Sequence, residues 1–153
     1  MYKVLILAVF LSISAVSATF WTPCGGSATT HYVFSNVCND ERCSVVRGQS
    51  FIANTTISFA AAHPRLNIRV RTVWLGITIT LPLFPPHDDG CNGLFLNGQL
   101  VGCPTQVGPR YQWVLESQIP ANVPAMQNIR VFTELLDDND NLISCSSLIA
   151  DVV

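Results

Sequence analysis

The sequence predicts an all-β fold, a sandwich or barrel of short strands. Three observations carry that prediction. Apolar residues recur at alternate positions in five separate segments. Gly, Pro, Asn and Asp interrupt the chain at short intervals between them. Six cysteines follow an N-terminal leader that marks the chain for export. Strict alternation belongs to strands with one apolar face, and many short strands between turn residues build sandwiches and barrels. No segment after the leader keeps an i, i+3, i+4, i+7 apolar pattern through three turns.

The rows run in order. Phe51, Ala53, Thr55, Ile57 and Phe59 alternate with Ile52, Asn54, Thr56 and Ser58. Leu66, Ile68 and Val70 alternate with Asn67, Arg69 and Arg71, and Ile77, Ile79 and Leu81 with Thr78 and Thr80. Tyr111, Trp113 and Leu115 share a face opposite Gln112 and Glu116, and Ile129, Val131, Thr133 and Leu135 form the last row. Turns fall at Arg47-Gly48, His63-Pro64, Pro82 to Gly90, Asn97-Gly98, Gly108-Pro109, Pro120 to Pro124 and Asp137 to Asn141.

The leader has three parts: a positive Lys3, an apolar run from Val4 to Ile13, and small residues at Val16-Ser17-Ala18. The run is too short for the roughly 20 residues that span a bilayer, so it reads as a secretion signal, residues 1–18, cleaved after Ala18. Residues 19–153 then form one domain of 135 residues, long enough for a real core. Export makes an even cysteine count a disulfide framework, with 15 pairings open to six cysteines. The secreted, extracellular compartment is the expected location, with the lysosomal lumen as an alternative.

Lys3 is the only lysine and leaves with the leader. Seven arginines against ten acids put the mature chain at −3. Without clustered Lys and Arg there is no nucleic-acid footprint and no strong electrostatic grip on anionic membranes. Charged residues are only 12% of the chain, about half the usual quarter. That points either to a thick core or to apolar surface used for something besides self-packing.

Catalytic constellations are missing. His31, His63 and His87 are isolated and near loops, no Gly-x-Ser-x-Gly elbow occurs, and Asp88-Asp89 lies in a turn. The acidic run Asp137 to Asn141 lacks the Gly and Glu that an EF-hand needs at its sixth and twelfth positions, where Leu142 and Leu148 stand. It reads as a solvated hairpin turn. No catalytic residue, metal site or cofactor is assigned. Asn54-Thr55-Thr56 is an N-glycosylation sequon, with Asn54 on the polar face of its strand.

Cys38-Asn39-Asp40-Glu41-Arg42-Cys43, followed by Arg47-Gly48-Gln49-Ser50-Phe51 and Asn54-Thr55-Thr56, resembles the Niemann-Pick type C2 family, secreted lipid carriers of the ML (lipid-recognition) domain class. Further matches follow in order: Leu75-Gly76, Pro82 to Pro86, Asp89-Gly90-Cys91, Cys103-Pro104, Tyr111, Pro120 and Pro124, Leu135, Asp137-Asp138 and Cys145. The resemblance covers essentially all of residues 19–153. Arthropods have an expanded set of such proteins, and the proline-rich loop and long Cys91 to Cys103 segment are compatible with a divergent arthropod member.

The resemblance implies an immunoglobulin-like sandwich of two antiparallel sheets with an apolar cavity between them. It implies the pairings Cys24 with Cys145, Cys38 with Cys43, and Cys91 with Cys103. It also implies lipid-lining positions. Leu81 stands where many members have Phe, Val123 where some have Tyr, and Ala121 near a Val position, with Pro124 beside them. Ile77, Ile79, Tyr111, Trp113 and Val131 would line the walls, and Phe51 and Phe59 join them across a two-residue insertion. The smaller residues at Leu81 and Val123 suggest a roomier mouth that accepts acyl chains as well as sterols.

The Cys91 to Cys103 segment reads as a small hairpin around Asn97-Gly98 packed on the domain, with an apolar docking tip as the alternative. The expected function is secreted lipid binding and transfer. The ligand is a hydrophobic small molecule, a sterol or fatty acid, with membrane or receptor docking as a further partner class and a monomer as the default state. The alternative is an immune or chemosensory protein that presents bound lipid to a receptor.

Overall fold

Alternation dictates the layers. The computed structural model describes residues 20–39, 41–83 and 87–153. Residues 1–19, which include the leader, Asp40 and residues 84–86 of the proline-rich loop lie outside the described residues. The strands are β1 (Trp21–Gly25), β2 (Thr29–Ser35), β3 (Cys43–Val45), β4 (Ser50–Ser58), β5 (Asn67–Trp74) and β6 (Ile77–Leu81). After a short 3-10 turn, Gly90–Gly93, come β7 (Leu94–Leu96), β8 (Gln99–Leu100), β9 (Arg110–Gln118), β10 (Met126–Leu136) and β11 (Leu142–Val152).

Two sheets result. One has the order β1-β11-β10-β5-β6, with β3 added beside β11, and the other β2-β4-β9-β7-β8. Among the named strands all pairings are antiparallel except the three-residue β3–β11 contact, a short parallel ladder from Cys43 opposite Ala150 to Val45 opposite Val152. Each expected alternating row maps to a strand, although Leu66 precedes the start of β5. In the second sheet Ala53 faces Leu115, Thr55 faces Trp113 and Ile57 faces Tyr111. In the first, Val70 faces both Leu81 and Thr133, and Thr72 faces both Ile79 and Val131.

Six strands, β1, β2, β3, β7, β8 and β11, have no counterpart among the five expected rows. In β2 the large residues face out: Tyr32 and Phe34 are exposed while Val33 and Ser35 are buried. Apolar alternation therefore points the wrong way there. β1 carries Pro23 on an edge strand, where a missing N–H costs the ladder nothing, and its register shifts between Pro23 and Gly25. The row ending at Phe59 is shorter than expected, because β4 stops at Ser58 and Phe59 makes only an isolated bridge to Val107.

The three disulfides pair as the resemblance implies: Cys24–Cys145, Cys38–Cys43 and Cys91–Cys103. The first joins β1 to β11 across a separation of 121 residues. The chain-entropy model credits closure of a loop that long with about 5 kcal/mol. The acidic turn is a solvated hairpin. Asp137 accepts bonds from the Asn139 and Asn141 backbone N–H groups and the Asn141 side-chain amide. The Asn141 bonds, chiefly, hold its carboxyl below the usual range.

Buried apolar side chains fall into two separate clusters among the described residues. The larger holds Ile57, Phe59, Leu66, Leu94, Tyr111, Trp113, Leu115, Leu135 and Ile143. The smaller holds Cys43, Ile129, Ala150 and Val152, with Trp74, Val123, Met126, Val131 and Leu148 packed against it. On the outer face of the first sheet, Glu134 is almost fully buried between two arginines. Arg69 Nε donates to it at 2.6 Å and Arg71 Nε at 3.2 Å. Arg71 also pairs with it through Nη2, and its guanidinium lies over the Phe132 ring, 5.2 Å from the centroid.

Two outcomes follow from this packing. Burial pushes the Glu134 carboxyl up, but the bonds and charges of Arg71 and Arg69 outweigh it and hold the group below its ordinary value. A depressed carboxyl stabilises the fold above its unfolded-state value and loses that contribution as pH falls through the folded one. Glu134→Gln is therefore expected to lower neutral-pH stability by about 1–3 kcal/mol, after discounting for the half-exposed arginines, and to flatten the loss of stability below about pH 4. Urea unfolding at pH 7 and pH 3 measures both. Separately, a Cβ on Gly93 would sit 2.1 Å from the Val114 carbonyl oxygen. Gly93→Ala should cost about 1–3 kcal/mol and lower Tm by several degrees on a thermal scan, because the 3-10 turn must lift off β9.

Candidate functional site

In a filled sandwich the inward residues of both sheets interdigitate and lose contact with water. Here the cross-strand register identifies those residues, and their burial varies along the strands. At one end they are sealed: Ile57, Tyr111, Trp113 and Leu135 are buried. At the other end Ile129, Ala150 and Val152 are also buried. Between these two levels, Phe51 and Ala53 of β4, Trp74 of β5, Val131 and Thr133 of β10, and Ser146 and Leu148 of β11 are only half-buried. These residues form a partly exposed band, with Ala53 packed on the larger cluster and Trp74, Val131 and Leu148 on the smaller.

The band runs out to the edge strand β6. Ile77, Ile79 and Leu81 share the inward face with Trp74, Thr72 and Val70, their cross-strand partners. Yet Ile77 is 62% exposed and Ile79 45%. These apolar side chains are left largely exposed at the sheet edge. The hairpin before them turns through Leu75 and Gly76, both at positive φ, and leaves Leu75 81% exposed.

A cleft of about 220 Å³ opens beside the larger plug, lined by Ile68, His87, Asp89, Asn92, Gly93, Phe95, Trp113, Val114, Leu115 and Glu116. Ile68, Trp113 and Leu115 supply its apolar floor from the inner faces of β5 and β9. The rim comes from the disulfide-pinned turn, where the Asp89 side chain accepts the Cys91 N–H at 2.9 Å. The cleft is smaller than the ~300–1,000 Å³ of sites that enclose a drug-sized ligand, so a whole lipid would need the adjoining half-open inner face as well. Among the described residues, the buried Trp113 indole N–H has no hydrogen-bond partner, and neither does His63 Nε2.

The expected lipid positions separate into groups. Phe51 and Val131 border the half-open band, and Ile77, Ile79 and Leu81 form its rim. Trp113 lines the cleft. Phe59 and Tyr111 instead belong to the sealed plug: their rings meet edge to face at 5.4 Å, and the Tyr111 hydroxyl accepts the Gln106 N–H at 2.9 Å. Val123 packs against the smaller plug, while Ala121 and Pro124 are exposed in the turn between β9 and β10. That turn is tied to Gly48, whose N–H donates to the Ile119 carbonyl at 2.7 Å.

Ala53, Ile68 and Leu115 sit in the same alternating rows as the expected residues, and extending each row at period two would have found them. Trp74 is the next inward position of β5. Phe95 and Asn92 carry no such signal, because only pairing of the β7–β8 hairpin with β9 brings them to the cleft. The hairpin itself is both packed and exposed: Leu94 is fully buried, whereas Leu100 and Val101 face solvent. Among the described residues, no group of three or more His, Cys, Asp or Glu could hold a metal ion.

This architecture has relatives. The NPC intracellular cholesterol transporter 2 of Danio rerio is 26% identical over 155 residues, spanning 99% of this chain and 98% of that protein. A Niemann-Pick type C2 protein from the Japanese carpenter ant superposes with a TM-score of 0.74 at 17% identity, over 87% of this chain and 98% of that one. Chicken MD-1, solved with lipid IVa, superposes at 0.54 with 11% identity, over 84% and 85%. The model of the ML domain family, E1_DerP2_DerF2, matches residues 18–152. With that match spanning nearly the whole chain, the protein belongs to the ML domain family.

Proposed function

We propose that this protein binds an apolar lipid between its two sheets and carries it through an aqueous compartment. One observation carries the reading: a band of inward apolar residues, from Phe51 and Ala53 to Val131 and Leu148, stays half-open beside the two packed clusters. Inward apolar surface left in contact with water is unfavourable by roughly 25 cal/mol per Å², and a hydrocarbon that covers it recovers that energy on both partners. No charge, metal or nucleophile is needed. The relatives support the reading, since one is named a cholesterol transporter and another was solved with a lipid.

The ligand class is a sterol or an acyl chain. The edge-strand residues Ile77, Ile79 and Leu81 form an aliphatic lip without an aromatic ring, which supports entry of flexible chains alongside rigid sterols. Export through the leader, residues 1–18, completes the proposal. Asn54 fits it as a glycan acceptor: it lies on the outer face of the second sheet, between Phe34 and Val114 in register, and its side chain makes no hydrogen bond among the described residues. The exposed tips at Leu75 and at Leu100 and Val101 offer apolar contact to an acceptor membrane or receptor.

Titration with a fluorescent hydrophobe tests the reading. Wild-type protein should take up the probe and release it to sterol and to fatty-acyl competitors. Ala53→Phe, which adds bulk on the inner face, should weaken uptake at least tenfold, with a cooperative thermal transition showing that the fold survives the added bulk. Absence of uptake by the wild type, or undiminished uptake by the variant, contradicts the proposal.

A further inference from the structure

We propose that a glycan on Asn54 lies back on the outer face of the second sheet, where its first sugar stacks on the rings of Phe34 and Tyr32. This rests on the reading of Asn54 as a glycan acceptor in an exported chain and deepens it by naming what the sugar touches. The outward aromatics of β2 are the starting observation. Val33 and Ser35 are buried, whereas Tyr32 is 57% exposed and Phe34 49%. Rings held on the water side of a sheet are unfavourable unless something covers them. The register places a sugar acceptor beside them. Phe34 stands directly opposite Asn54, and Tyr32 directly opposite Thr56. Those are the acceptor amide and the hydroxyl residue of the Asn54-Thr55-Thr56 sequon. Thr55, between them, is buried opposite Val33 on the inner face. Both outward positions of the sequon therefore have an exposed ring as cross-strand neighbour.

Directly opposed side chains of an antiparallel pair stand about 5 Å apart at Cβ, and diagonal ones about 7–8 Å. A sugar linked to the Asn54 amide thus starts within reach of both rings. The rings are free to receive it. Among the described residues, the ring contacts lie elsewhere, at Phe59 with His63 and Tyr111 and at Phe132 with Arg71. The other flank of Asn54 is also apolar, since Val114 of β9 stands opposite it there. N-acetylglucosamine has a polar rim of hydroxyls and an apolar face of axial C–H groups. Laid on an aromatic ring, that face leaves water while the hydroxyls stay hydrated. The tether holds the sugar at high effective concentration over the rings, so little association entropy opposes the contact. Its attachment is on β4 and its contact on β2, an edge strand. The stacked sugar therefore pins that edge to the sheet.

The full chain, secreted from eukaryotic cells that make oligomannose glycans, provides the test. Intact mass should show a glycan on the wild type that is missing from Asn54→Gln and from Thr56→Val. Trimming with an endoglycosidase that leaves only the first N-acetylglucosamine should hold Tm within about 1 °C of the untrimmed protein, whereas both sequon variants should melt about 2–4 °C lower. In a Phe34→Thr background, loss of the sequon should lower Tm by less than about 1 °C further, because the sugar has lost its platform. The trimmed wild type should also give nuclear Overhauser contacts between sugar C–H protons and the Phe34 ring. A glycosylated wild type that melts with the sequon variants and shows no such contacts overturns the proposal. So does an equal Tm loss with and without Phe34, which assigns the effect to the strand substitutions alone. Secretion with Asn54 unmodified overturns the acceptor reading and this inference with it, and leaves lipid carriage untouched.

Discussion

Two β-sheets joined by one buried cluster, with inward residues beyond it only partly covered, are the constraint on which this molecule depends. A sandwich gains most of its stability from closing its sheets, so the packed clusters carry that closure. At one end Ile57, Tyr111, Trp113 and Leu135 interdigitate under the β7–β8 hairpin, which the Cys91–Cys103 bond anchors. At the other, Ile129, Ala150 and Val152 close over Cys43, itself locked to Cys38. The Cys24–Cys145 bond ties the outer strand β1 to β11.

Polar groups are placed by the same logic. The Arg69–Glu134–Arg71 cluster lies on the outer face of β5 and β10, so its charges brace the sheet without entering the space between the sheets. Inside, the polar side chains of the first sheet's open band are the hydroxyls of Thr133 and Ser146. At the sealed end, one hydroxyl pair, Thr30 and Ser144, bridges the two sheets at 3.0 Å. A charge on the inner face would have to be desolvated whenever a hydrocarbon entered, and the low charge content of the chain avoids that cost.

Much of this could be read from the residues, for identifiable reasons. Strands with one apolar face announce themselves by period two, and β4, β5, β6, β9 and β10 all do. β2 is silent because its aromatics face outward, and β3 is silent because three residues hold no period. The disulfide pairing came through the family resemblance, since spacing alone left every combination open. The site was legible only in part. Alternation says which side chains point inward, but not whether anything faces them. Phe59, Tyr111, Ile77 and Phe51 therefore look alike in sequence, although the first two are sealed in a plug and the others border open space. The cleft rim was invisible because it is assembled by a non-local contact, Leu94 and Phe95 pairing with Trp113 and Gln112.

Crystals of the protein grown with a terminally brominated C16 alcohol would locate a bound chain directly, through the anomalous signal of bromine. Filling of the open band predicts a peak between the sheets, within contact distance of Ala53, Val131 or Leu148, with continuous density leading toward the β6 edge. Bromine found only on the outer faces, with the inner side chains of β4 and β10 closed on one another, would contradict it.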